Sequence, residues 1–221
     1  MIQTQLHHTQ IYKLGVTLVL SLFFFCGINS PVYATQFGEI QYDNTHIDYS
    51  KIDIEATQKL ADYYFDKALD DSQPELQKEY LQKASAEYHI LTHAQHNNIY
   101  SIIQMARVYD MEDENRYAKD YFFQALKIDK NNPDANYYFG DFYFKRKEYN
   151  KALYFYNRAF QNGFKENFDV LYKQGIIFEK FGDLSKAKQY YRKAFLAKPD
   201  SSAAANKIRK LETSGNNKSR Q

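Results

Sequence analysis

The sequence predicts an all-α protein in which antiparallel helix hairpins stack into a solenoid. Two observations carry this expectation. Glycine and proline are scarce, 8 and 4 in 221 residues, so long stretches lack the residues that end helices or build tight β-turns. A pattern of small and aromatic residues also repeats. Ala106, Gly140 and Gly175 stand 34 and 35 residues apart. The same register holds for Tyr109, Tyr143 and Phe178, for Ala118, Ala152 and Ala187, for Phe122, Tyr156 and Tyr191, and for Ala125, Ala159 and Ala194. A fixed period of this length marks stacked units, each too small to bury its apolar face alone.

Residues 1–34 read as a signal peptide. Lys13 precedes an apolar run from Leu14 to Ile28, then come Asn29, Pro31 and Val32-Tyr33-Ala34, with small or short residues at the cleavage positions. The run is shorter than the ~18 apolar residues of a spanning helix. An uncleaved anchor that tethers the protein to a membrane is the alternative. Cys26, the single cysteine, follows three phenylalanines where a lipidation motif needs small residues, so cleavage after Ala34 would leave no disulfide and no thiolate metal site.

Residues 35–52 read as a linker, and residues 53–98 as a divergent first hairpin. Its first helix is expected at Glu55–Asp70. Its second, Leu81–Asn98, is placed by Ala84 and Tyr88, each 34 residues before its counterpart, Ala118 or Phe122. The intervening DSQPELQKEY is too long for a hairpin turn, and Pro74 suits the first turn of a lengthened second helix.

Three regular hairpins follow at 99–132, 133–167 and 168–201, with one extra residue near Asn162-Gly163. Their recurrent alanines let neighbouring helices approach closely. A larger residue at Ala152 would overpack such a contact, at a cost of about 1–3 kcal/mol. The segments YFGDFYFKRKEYNKALYFYNRAF, KQGIIFEKFGDLSKAKQYYRKAFLAKP and QMARVYDMEDENRYAKDYFFQALKIDKNNP resemble the tetratricopeptide repeat, whose signature is small residue, aromatic, Ala, aromatic, Ala and often Pro. Where that family commonly has an early Trp, this chain has Ile102, Asn136 and Leu171. The resemblance implies a right-handed α-solenoid of three repeats behind the divergent unit. Ala204, Ile208 and Leu211 share one face of a helix expected at 202–212, which would cap the apolar end of the stack. Residues 213–221 are polar and are expected to be disordered.

The sequence offers little to catalysis. It has no G-x-S-x-G, no H-E-x-x-H, no P-loop and no glycine-rich dinucleotide turn, so the reading is non-enzymatic, with no cofactor. His89, His93 and His96 share a helix face, but three ligands along two turns of one straight helix rarely converge on an ion, and no metal is expected. The run DMEDEN lacks the alternating ligands and central glycine of a calcium loop and falls in an interhelical turn. The formal net charge is only +2, which argues against a nucleic-acid partner.

In the resembled family the first helices of successive hairpins line a concave groove for a peptide or partner helix. Carried over by register, the groove rows here are Ile103, Tyr137 and Tyr172; Arg107, Asp141 and Ile176; and Asp110, Phe144 and Glu179. Aromatics with an arginine are the usual makings of a binding hot spot. One subset of the family clamps a terminal carboxylate with Lys and Asn. The corresponding residues here are Ile103, Arg107, Tyr138, Asp169 and Lys173, and Asp169 opposes the two cations, so that activity is not carried over. The expectation is an exported scaffold or adaptor with a protein or peptide partner, acting in envelope or secretion-complex assembly. Export means the periplasm in a bacterium and secretion otherwise. Self-association through the divergent first hairpin is the second reading.

Overall fold

The computed structural model describes residues 48–218, with side chains as far as residue 213, and the expected signal peptide and most of the expected linker lie outside these residues. The described residues form nine α-helices: α1 (Ile54–Ala68), α2 (Gln77–Ala94), α3 (Ile99–Met111), α4 (Asn115–Ile128), α5 (Pro133–Lys145), α6 (Tyr149–Gln161), α7 (Phe168–Lys180), α8 (Leu184–Ala197) and α9 (Ser202–Lys218). They pair as hairpins α1/α2, α3/α4, α5/α6 and α7/α8, each packed on the next, with α9 against α8. None of the described helices is long and apolar enough to cross a membrane.

The helix ends follow a shared local grammar. The first helix of every hairpin starts at a capping side chain, Asp53, Asn98, Asn132 or Asn167, that accepts from the backbone N–H three residues on. Each cap satisfies a donor that the first helical turn leaves open. The three regular hairpins then turn through a residue at positive φ: Asp113 (58°), Lys147 (60°) and Gly182 (79°). Around it, the N–H groups of Glu114, Glu148 and Asp183 reach back to the carbonyls of Tyr109, Tyr143 and Phe178 at 2.9–3.0 Å. This left-handed closure satisfies carbonyls at the helix end. The extra residue of the third hairpin falls at Gly163, with φ 152°.

The first hairpin departs from this grammar. A single 3-10 turn, Pro74–Leu76, leads into the 18-residue α2, and Gln77 Nε2 donates to the Ala68 carbonyl at 3.0 Å across the junction. Two further observations concern the ends. Residues 48–52, expected as linker, contain a 3-10 turn whose Tyr49 ring lies 5.4 Å from that of His93 on α2. Residues 213–218, expected as disordered tail, continue α9.

The core alternates methyl groups with rings. Ala118, Ala125, Ala152, Ala159, Ala187 and Ala194 are fully buried, as are Ala61, Ala68 and Ala84 of the first hairpin. The central cluster joins Phe122, Phe139, Phe142, Tyr143 and Tyr156 across the second and third hairpins. Burying each such ring contributes roughly 1.5–3 kcal/mol. Gly140 and Gly175 lie directly under the rings of Tyr156 and Tyr191, where an added Cβ would come within 2.7 and 2.6 Å of ring carbons.

Candidate partner-binding face

The first helices of adjacent regular hairpins are bridged directly by side chains, and this places α3, α5 and α7 together along one inner face. Asp110 on α3 accepts from Lys145 Nζ (2.5 Å) at the end of α5 and from Arg146 (2.7 Å), its C-cap. Asp141 on α5 accepts from Lys173 Nζ on α7 at 2.6 and 2.7 Å. Glu179 on α7 accepts from Lys207 Nζ on α9 at 2.7 Å. Each rung is an acid on one unit and a cation on the next.

Tyrosines of the second helices brace the acids. Tyr88 donates to Asp62 (2.7 Å), Tyr156 to Asp141 (2.5 Å) and Tyr191 to Glu179 (2.6 Å). Burial and the adjoining carboxylate push all three phenols well above the ordinary tyrosine range, so they serve as donors. Burial alone would raise Glu179, but the bonds from Lys207 and Tyr191 outweigh it and hold its carboxyl below the usual range. In the second hairpin the register carries Arg107 and Phe122, so a cation replaces the acid where the brace lacks its hydroxyl.

The expected groove residues have different fates. Ile103 is only 3% exposed, packed with Ile102, Ala125 and Ala135 and covered by Tyr138, so it cannot contact a partner. Register alone does not show how tightly α5 closes over α3 at this position. Asp110, Asp141 and Glu179 are occupied by the rungs just described. The Tyr137 hydroxyl lies 3.0 Å from Lys173 Nζ, which also stands over the Tyr137 ring. Tyr172 stacks on Phe168, with centroids 5.4 Å apart. Phe144 packs against Tyr149 and Tyr156, and Ile176 is half-buried.

Arg107 stands apart. Its guanidinium carbon lies 4.5 Å from the Phe65 centroid and 4.1 Å from that of Tyr138, and Nη1 donates to Gln104 at 2.6 Å. No described acid lies within ion-pair distance of it. Register reasoning missed Asp62, Lys145, Arg146 and Lys207. The tyrosine braces were visible as aromatics, but their acceptors shift by one helical turn between hairpins. His89 and His93 have ring centroids 4.2 Å apart, and no group of three or more metal-ligating residues is placed to hold an ion among the described residues.

Stacked hairpins whose first helices share one continuous face make this chain a TPR-like solenoid. Solved structures of tetratricopeptide-repeat proteins share the fold. PilF of Pseudomonas aeruginosa superposes with a TM-score of 0.61 at 18% identity, covering 73% of this chain and 72% of that one. A structure of MamA gives 0.55 at 22% identity over 66% of this chain and 85% of that one. MamA from Desulfovibrio magneticus RS-1 gives 0.55 at 18%, over 71% and 85%. No family model matches the sequence, and no curated protein matches it.

Proposed function

We propose that the protein is a non-enzymatic, exported scaffold that holds a protein or peptide partner against the inner face of its solenoid, in envelope or secretion-complex assembly. The observation that carries this reading is Arg107. A guanidinium held between two rings, with one hydrogen bond and no carboxylate partner among the described residues, is pre-organised for an incoming polar group at little cost in side-chain entropy. The leader-like composition of residues 1–34 supports export.

The test is partner capture from the source cell by the full chain and by the double variant Arg107→Ala, Tyr137→Ala, with circular dichroism confirming that the variant stays folded. Loss of the captured proteins is the expected result. Capture that persists unchanged places the interface elsewhere.

A further inference from the structure

We propose that Asp62 anchors a cationic side chain, a lysine or arginine, of a peptide partner. The proposal rests on the reading of the inner face as the binding surface and adds its chemistry at one point. Asp62 on α1 has the register of Asp141 on α5, and Tyr88 braces it as Tyr156 braces Asp141. Its Oδ1 accepts from both Tyr88 and Tyr100, at 2.7 Å each. No described residue donates to Oδ2.

The other braced acids show what completes this arrangement. Asp141 takes the ammonium of Lys173, and Glu179 takes that of Lys207. Gln104 occupies on α3 the register that Lys173 holds on α7, and its amide oxygen faces Arg107 instead. The carboxylate is therefore braced by two phenols and lacks the cation that the same geometry receives elsewhere in the molecule. The Lys173 rung also defines the fit: an ammonium 2.6–2.7 Å from the carboxylate and 4.8 Å from a tyrosine centroid. On α1 the place of Tyr137 is taken by Gln58, and the ring beside Asp62 is that of Tyr100 on α3, which is 41% exposed and so reachable from solvent. Arg107 is the nearby like charge. It is held by Phe65, Tyr138 and Gln104 and makes no ion pair with Asp62, so it weakens the pull on a cation without filling the position. A charge-assisted bond to a braced carboxylate is among the stronger polar contacts a binding face can offer.

Two nine-residue peptides with blocked ends, one with a single central lysine and one with a single central glutamate, would be titrated into the full chain and followed by NMR. The lysine peptide should shift the Tyr100 resonances. Asp62→Asn should weaken its binding about tenfold. Gln104→Lys should fill the position from within, abolish the binding and raise the Tm by about 2–4 °C. This second variant keeps the proposal testable if Asp62→Asn folds poorly. Lysine-peptide binding that is absent, or unchanged in Gln104→Lys, overturns the proposal. Preference for the glutamate peptide, lost in Arg107→Ala, would also overturn it while leaving the inner face as the binding surface. If neither peptide perturbs the inner face and the Arg107, Tyr137 double variant still captures its partners, both readings fall.

Discussion

At Gly140 a methyl group would stand 2.7 Å from Cδ1 and Cε1 of Tyr156, whose ring is fully buried. Alanine gains about 1 kcal/mol of helix propensity over glycine. Here the ring has no room to retreat, and overpacking of a tight core costs about 1–3 kcal/mol. Gly140→Ala should therefore destabilise the protein by about 1 kcal/mol in urea melts, and a gain in stability would mean that the ring yields. Glu112, at the C-terminal end of α3, is a second point of strain. Its Oε1 is buried without a hydrogen-bond partner among the described residues, and burial, reinforced by Glu114, pushes its carboxyl up to about 7, against the pull of Lys78. The folded state thus holds the proton more tightly than the unfolded chain does. That contribution to stability is complete below the ordinary value of 4.5 and is lost as pH rises through 7. The residue is only partly buried, so solvent screening reduces the loss to about 1 kcal/mol. Glu112→Gln should match the parent near pH 4 and exceed it by that amount near pH 8, and equal stability at both pH values would refute the assignment.

The hairpin turns ask for a left-handed residue, and only the last of the three regular ones supplies glycine. Lys147 stands at φ 60° where Gly182 stands at 79°. A side chain in this region costs about 1–2 kcal/mol, partly offset by the backbone entropy that glycine surrenders on folding. Lys147→Gly should raise stability by about 0.5–1 kcal/mol, read as a higher Tm. Much at this level was legible in advance. The caps, the alanines and the long aromatics recur because every hairpin solves the same packing problem, so the period exposes them. What stayed hidden had no period. The burial of Ile103 has no period because its cover, Tyr138, stands where the next hairpin has Lys173. The helical course of residues 213–218 could not be read from their composition, since Ser, Gly and Asn are weak helix formers.

The stack is held by nearest-neighbour contacts, so its cooperativity depends on each junction. The Asp141–Lys173 rung couples the third hairpin to the fourth, with both side chains largely shielded. Asp141→Asn removes the charge and leaves the ammonium facing a neutral amide, at a cost of about 1–3 kcal/mol. The last hairpin and α9 should then melt ahead of the rest, giving transitions that no longer coincide between a probe near Tyr191 and one near Tyr88. A single coincident transition would show that apolar contact alone carries the coupling. The acid-to-cation rungs themselves were beyond sequence reasoning. Lys173 and Lys207 share one register, 34 residues apart, but their acceptors Asp141 and Glu179 do not, Lys145 holds another place, and only the folded stack brings each to its carboxylate.

A helix start capped by the same kind of side chain in all four hairpins gives the gene a natural unit of exchange. Recombination that duplicated or deleted one whole hairpin would leave every new junction with a matching cap. Lineages can thus lengthen or shorten the rod in single events. Point substitution along the inner face is more constrained, because a carboxylate and its distant lysine must drift as a pair.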